Sequence, residues 1–118
     1  MAQLRVPVTS HKELLQRYAS LVPIVVELPL IAFGNDDRSY TEWVSKNPRG
    51  YVVNTYQMPS PSYLVLHWAD CWTISRTDGG PWTTSDYAKV CGPDIAALEA
   101  WAKNDVNGVL SKCDKCWA

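Results

Sequence analysis

The chain has 118 residues, of which 47% are hydrophobic and 19% charged, a balance that excludes a largely disordered protein and allows one small domain. The formal net charge of −1 excludes a general basic excess of the kind that phosphate-binding proteins carry. Residues 1–20 contain no apolar signal-peptide core, so we expect a cytoplasmic protein whose cysteines stay reduced.

The N-terminal part of the chain predicts a helix followed by a strand. Residues 10–13, Ser-His-Lys-Glu, form a capping box, and the helix that follows places Leu14, Tyr18 and Leu21 on one apolar stripe. Residues 22–33 form a β-branched apolar run that we interpret as a buried strand interrupted by its prolines. The run is too short to cross a bilayer, so we expect no membrane association.

The middle of the chain alternates helix and strand signals. Residues 39–42 form a second capping box that predicts the start of a short helix, and Asn47 followed by Pro48 ends it. Strand-like segments follow at residues 50–56, 63–67, 72–76 and 86–91. They are separated by loops and turns rich in proline, glycine, serine and aspartate.

A last helix is predicted to start around Pro93, which suits a first helical turn, and to end at Asn107. This order of elements predicts an α+β fold with a small, mainly antiparallel sheet and about three helices. We expect a single domain over residues 1–118, with a helix–strand part at 1–38 and a second part at 39–118 that contains every cysteine.

The spacing of cysteine and histidine points to a metal site in that second part. Cys113 and Cys116 form a C-x-x-C pair, which lets a tight turn direct two thiolates at one ion. Upstream, His67 and Cys71 form an H-x-x-x-C pair at a predicted strand end. Zinc prefers four nitrogen or sulfur ligands, usually supplied as two local pairs. We therefore predict that these four residues bind Zn²⁺ and tie the C-terminal half together.

Three alternatives compete with this hypothesis. Cys91 is a fifth candidate that could replace His67 as the fourth ligand. A redox C-x-x-C is expected at the start of a helix, whereas only two residues follow Cys116. Cys71 and Cys91 could also be buried residues without a ligand role, because a free cysteine behaves as a small hydrophobe.

Two segments, His-Trp-Ala-Asp-Cys at residues 67–71 and Cys-Asp-Lys-Cys at 113–116, resemble the Ada-type metal-binding module. That module pairs C-x-x-x-C with a later C-x-x-C around zinc. In its DNA-repair members the first cysteine accepts a methyl group from a DNA phosphotriester, but His67 occupies that position here. Trp68 replaces the arginine that usually follows the first ligand. The resemblance implies a zinc site without methyl-transfer chemistry.

Residues 40–118 are also similar to an uncharacterised group of bacterial domains. The matching pieces include residues 48–54, 63–74 and 87–91 and the final C-x-x-C. That group has no assigned activity, so the resemblance implies a fold unit rather than a function.

No glycine-rich phosphate loop, Walker motif or G-x-S-x-G elbow occurs in the sequence. We therefore expect a zinc-stabilised, non-enzymatic binding module that acts on nucleic acid or assists a nucleic-acid enzyme. One alternative is a protein-interaction factor with purely structural zinc. A further alternative is a zinc enzyme, which would keep an open position on its metal.

An aromatic surface beside the zinc is one hypothesis for how such a module binds. Trp68, Trp72 and Trp82, with the loop at residues 57–63, could stack on bases. Positive charge near them could come from Arg76, Lys89, Lys112 and Lys115. The opposing interpretation places the tryptophans in the core and the lysines on a solvated face.

Overall fold

The computed structural model describes residues 30–76 and 78–117, and in this part of the chain one sheet lies between helices. The elements are β1 (Ile31–Phe33), α1 (Asp37–Lys46), β2 (Tyr51–Tyr56), β3 (Val65–Trp68), α2 (Trp72–Ser75), β4 (Tyr87–Gly92), α3 (Ile95–Trp101) and β5 (Ser111–Lys112). Helix α3 continues as a π-helix over Ala102–Val106. The predicted α+β fold class is confirmed.

Some predictions fall on the rest of the chain. The capping box at residues 10–13, the helix that follows it and most of the predicted strand at 22–33 lie outside the described residues. No helix within the described ranges is long and apolar enough to cross a bilayer.

The sheet has five strands in the order β1-β4-β2-β3-β5. Every neighbouring pair is antiparallel except β3 and β5, which run parallel. In the central strand, Val52 lies opposite His67 on one side and Cys91 on the other. Directly paired residues point to the same face of a sheet, so the register places these three side chains on one face.

Each face of the sheet carries its own hydrophobic core because side chains alternate along the strands. The face that contains Val52 packs against Tyr40 and Val44 of α1, and the other face, with Val53, packs against Leu98 of α3. The first core also contains Ala69, Cys71, Ile74, Cys91 and Cys113. Cys71, Cys91 and Cys113 therefore lie in the same layer as α1, and Cys116 packs against this core.

Helix α1 begins earlier than the sequence predicts. The Asp36 carboxylate accepts a hydrogen bond from the Ser39 amide at 3.0 Å, so Asp36 is the cap residue. The predicted capping box at residues 39–42 is wrong, because Ser39 lies inside the first turn. The predicted end is confirmed, since Lys46 is the last helical residue and Asn47 caps the helix before Pro48.

The strand predicted at residues 72–76 is wrong, because this segment forms the one-turn helix α2. The carbonyl oxygen of Cys71 accepts hydrogen bonds from the Ile74 amide at 3.1 Å and from Ser75 Oγ at 2.7 Å. These bonds turn the chain directly after Cys71. The turn brings the Thr73 hydroxyl to 3.0 Å from the Cys71 sulfur.

The predicted end of α3 is confirmed, and the helix starts next to the predicted position at Pro93, which itself lies outside the first turn. The Asp94 side chain caps the helix by accepting from the Ala96 amide at 3.1 Å, so Pro93 precedes the cap instead of occupying the first turn. The helix stops at Asn107, whose φ of 60° is left-handed. Asparagine tolerates that conformation better than most residues.

The other predicted strands agree to different degrees with the strands of the structure. Residues 50–56 and 86–91 correspond to β2 and β4, whereas β3 starts later than the predicted strand at 63–67. Of the predicted buried strand at 22–33, the described end is β1, where Ile31 is 40% exposed. The prediction of burial is wrong for this end.

The first turn of α1 is fastened to the loop before β4 by the Asp37 carboxylate. It accepts hydrogen bonds from the Trp82 amide at 3.0 Å, the Thr83 amide at 2.6 Å and the Thr83 hydroxyl at 2.7 Å. Burial opposes ionisation of the carboxyl, but these donors outweigh it and lower the pKa of Asp37 below its ordinary 3.8.

We expect Asp37→Ala to lower the free energy of unfolding by about 2 kcal/mol at neutral pH, because three donors lose a charged acceptor. Since the folded pKa is the lower one, this contribution is complete above the unfolded pKa of 3.8 and disappears as the pH falls through the folded value. Urea titrations of both proteins across this pH range measure the difference. A stability difference that does not shrink in acid would contradict the assignment.

Candidate metal centre

The four predicted metal ligands come together in the C-terminal half of the chain. One donor atom from each of His67, Cys71, Cys113 and Cys116 lies within 4.8 Å of the others. Strand β3 supplies His67, the turn before α2 supplies Cys71, and the chain after β5 supplies the C-x-x-C pair. Three separate segments thus converge on one point, close enough to bind a metal ion.

Residues 113–117, which we call the C-terminal knuckle, are held against β3 by backbone and side-chain bonds. The Cys113 amide donates to the Leu66 carbonyl at 2.9 Å, and the indole Nε1 of Trp117 donates to the same oxygen at 3.1 Å. The Trp117 amide closes the knuckle by donating to the Cys113 carbonyl at 3.1 Å. These bonds place both knuckle thiols beside His67.

The centre is largely shielded from solvent. His67, Cys71 and Cys113 are buried, and Cys116 is half-buried. Burial, together with the charge of Lys89, lowers the pKa of His67 to about 4. The imidazole is therefore neutral around pH 7, which is the form that binds metals.

The two ring nitrogens of His67 have different surroundings. Nδ1 lies 3.6 Å from the Cys116 sulfur and 3.4 Å from the Thr73 hydroxyl. Nε2 is buried without a hydrogen-bond partner in the described chain. Nδ1 is therefore the nitrogen that faces the other donors.

The Thr73 hydroxyl supports the centre from outside, because it lies 3.0 Å from the Cys71 sulfur and 3.4 Å from His67 Nδ1. We expect Thr73→Val, which keeps the side-chain shape and removes the hydroxyl, to weaken metal binding by about 10-fold, the lower end of typical losses from outer-shell partners. Competition against a chromogenic chelator measures the affinity. Unchanged affinity would show that the hydroxyl contributes no support.

Cys71 and Cys116 also lie at disulfide distance from one another, with Cα atoms 5.6 Å apart. The other two cysteines, Cys91 and Cys113, are free and buried. The same group of side chains can therefore bind a metal as thiolates or form one disulfide. Either arrangement links the knuckle to the turn before α2.

The competing ligand Cys91 is not among the four clustered residues. It is fully buried in the core on the α1 side of the sheet. Burial raises the pKa of its thiol well above the ordinary range, so that it stays protonated. These features are those of a core residue.

A cavity of about 510 Å³ adjoins the cluster. Its lining includes His67, Cys113 and Tyr63. Asn54, which also lines it, donates to the Tyr63 hydroxyl at 3.2 Å, and its Oδ1 is buried without a partner among the residues that the structure describes. The cavity therefore lies between the cluster and Tyr63.

The predicted tryptophan surface does not form as one patch. Trp68 packs against Trp117, with ring centres 4.7 Å apart, and Trp82 packs against the core on the α1 side. Trp72 is 57% exposed. Lys89, expected near a binding surface, is buried, and its ammonium donates to the Trp82 carbonyl. For Lys89 the surface prediction is wrong.

Three tyrosines, Tyr56, Tyr63 and Tyr87, form a cluster that we call the tyrosine trio, and of these the predicted aromatic surface included only Tyr63, in the loop at residues 57–63. Tyr56 and Tyr87 are paired across β2 and β4, with ring centres 5.8 Å apart. Tyr63 lies 5.3 Å from the first ring and 5.5 Å from the second. The available signal was that three predicted strands, at residues 50–56, 63–67 and 86–91, each have a tyrosine at or near one end.

Comparison of the chain with protein-family models, with curated proteins and with solved structures finds no match.

Proposed function

We propose that this chain is a zinc-stabilised, non-enzymatic binding module that binds single-stranded nucleic acid. The observation that carries the zinc assignment is the convergence of one imidazole and three thiols within 4.8 Å. This donor set matches structural zinc sites. Four protein ligands complete a tetrahedron and leave no position for a substrate, which favours a structural ion over a catalytic one.

The tyrosine trio supports the nucleic-acid part of the proposal. Tyr56 is 38% exposed and Tyr87 36% exposed, and the three rings lie within stacking distance of one another. Unpaired bases stack on such rings regardless of sequence. Tyr63 belongs to the trio and to the cavity beside the metal centre, so a strand stacked on the trio would continue toward the zinc.

The charges of the chain indicate which interaction would dominate the binding of a nucleic-acid strand. The net charge is −1, and among the predicted cationic residues Lys89 is buried while Arg76 is paired with Asp78 at 3.1 Å. Few phosphates would therefore be neutralised, and affinity should fall only shallowly with added salt. Stacking would supply most of the binding free energy.

Fluorescence anisotropy with a labelled single-stranded oligothymidylate tests this proposal on zinc-loaded protein. We expect Tyr87→Ser to weaken binding by about 10-fold or more, because one stacked base contributes roughly 1–3 kcal/mol. Trp72→Ser is the matched control, since it removes an exposed aromatic ring that lies outside the trio. It should change the affinity little.

Two outcomes would reject the nucleic-acid assignment. One is that zinc-loaded protein binds neither single-stranded DNA nor single-stranded RNA. The other is that both variants lose the same affinity. Either result would leave the protein-interaction factor as the better hypothesis without affecting the zinc assignment.

A further inference from the structure

Cys71 and Cys116 belong to different local ligand pairs, yet they lie at disulfide distance. Their Cα separation of 5.6 Å is within the range that a disulfide accepts without backbone movement. These two cysteines are therefore positioned to form a disulfide as an alternative to binding a metal ion. In a reducing compartment, disulfides that do form are usually transient or redox-sensing.

We infer that the metal centre is a redox switch, in which a peroxide joins Cys71 to Cys116 and thereby releases the metal. This inference rests on the proposed zinc site. The disulfide removes one ligand from each pair and leaves His67 and Cys113. Two ligands do not complete a tetrahedral site, and a disulfide sulfur is no longer the thiolate that zinc requires.

Oxidation takes two steps, and the exposure of the cysteines determines which one reacts with peroxide first. Cys116 is half-buried, whereas Cys71 is 6% exposed and Cys113 8% exposed, so Cys116 is the most accessible residue of the three. Its thiolate attacks one oxygen of hydrogen peroxide. The S–O bond forms, the O–O bond breaks, and the hydroxide that leaves takes up a proton. The product is a sulfenic acid at Cys116.

The Cys71 thiolate then attacks the Cys116 sulfur. The S–S bond forms, the S–O bond breaks, and a second hydroxide leaves and takes up a proton. In total, two thiolates, one peroxide and two protons give one disulfide and two waters. The two electrons pass from sulfur to oxygen, and the zinc ion leaves with its charge unchanged because it has no redox chemistry of its own.

The disulfide keeps the C-terminal knuckle in place after the metal has left. It connects the turn before α2 to the knuckle across 45 residues of sequence. The hydrogen bonds from the Cys113 amide and the Trp117 indole to the Leu66 carbonyl are then retained. A reduced chain without metal has neither tether. The switch therefore changes the metal content and preserves the fold.

Peroxide treatment of the reduced, zinc-loaded full chain tests the inference, with zinc release followed by a chromogenic chelator. Trypsin then places the four cysteines on four peptides, 50–76, 90–103, 113–115 and 116–118, because lysine or arginine separates each neighbouring pair. Without reduction, we expect 50–76 linked to 116–118. Zinc should fall from about one ion per chain to near zero. Dithiothreitol with added zinc should restore the ion.

The metal content of the reduced chain before peroxide tests the proposed zinc site separately. Given zinc at the start, two results would overturn the switch: zinc retained after oxidation, or a link between 113–115 and 116–118 in place of the expected one. Cys91→Ala is the control and should release zinc and form the same peptide link as the wild type. Hydrogen exchange at the Cys113 amide gives a further test. The amide should stay protected in the oxidised, metal-free chain and lose protection in the reduced, chelated one.

Discussion

Cys113→Ser is expected to abolish stoichiometric zinc binding and to unfold the C-terminal knuckle. Binding of a structural zinc ion contributes on the order of 10 kcal/mol to the folding of small sites. A domain of this size is stable by only about 5–15 kcal/mol in total. Cys113 is 8% exposed, so the variant also buries a hydroxyl where a metal-bound sulfur would lie. Loss of one ligand should therefore lower the melting temperature substantially.

Elemental analysis and thermal unfolding of reduced, untagged protein measure both effects. Asp114→Ser is the matched control, because Asp114 is the exposed neighbour of Cys113 and contributes no clustered donor. It should keep the zinc and the wild-type melting temperature. If Cys113→Ser also kept both, the metal assignment would fail.

The four clustered positions were predictable because each of the two residue pairs is local in sequence. A C-x-x-C turn and the H-x-x-x-C spacing at the end of β3 each direct two donors with little help from the rest of the fold. No local pattern, however, specifies that the H-x-x-x-C pair and the C-x-x-C pair come together in space. The meeting depends on the parallel pairing of β5 with β3 and on the bond from the Cys113 amide to the Leu66 carbonyl.

The helix starts were harder to predict because several residues near each one can cap. Both Asp36 and Ser39 are good cap residues, and the choice depends on Asp37 binding Thr83, which lies far along the chain. The short helix α2 spans one turn, too few residues to show a helical period, so its apolar residues resembled a strand.

Burial of Lys89 was unpredictable for a related reason. One partner, the Tyr40 ring 5.7 Å away, comes from α1, which is far from β4 in sequence, and the other, the Trp82 carbonyl, comes from the loop that precedes β4. The tyrosine trio likewise depends on strand register. Long-range pairing, rather than residue type, decided these features.

The second large expected effect is on zinc affinity, and it distinguishes His67 from Cys91 as the fourth ligand. Both side chains are buried, and both residues pair with Val52, so they form a matched test within one layer of the fold. His67 belongs to the cluster of donors and Cys91 does not. We expect His67→Ala to weaken zinc binding by about 4 kcal/mol, because the site loses a ligand. This loss corresponds to a roughly 10³-fold lower affinity.

Cys91→Ala should behave as a small truncation in the core and destabilise the fold by about 1 kcal/mol without changing zinc affinity. Competition of each variant against a chromogenic chelator separates the two roles, and urea unfolding of the zinc-loaded proteins gives the stability. The reverse pattern, with zinc lost from Cys91→Ala and kept by His67→Ala, would make the site a four-cysteine one. It would also require the β4 strand to shift, because Cys91 is fully enclosed in the core on the α1 side.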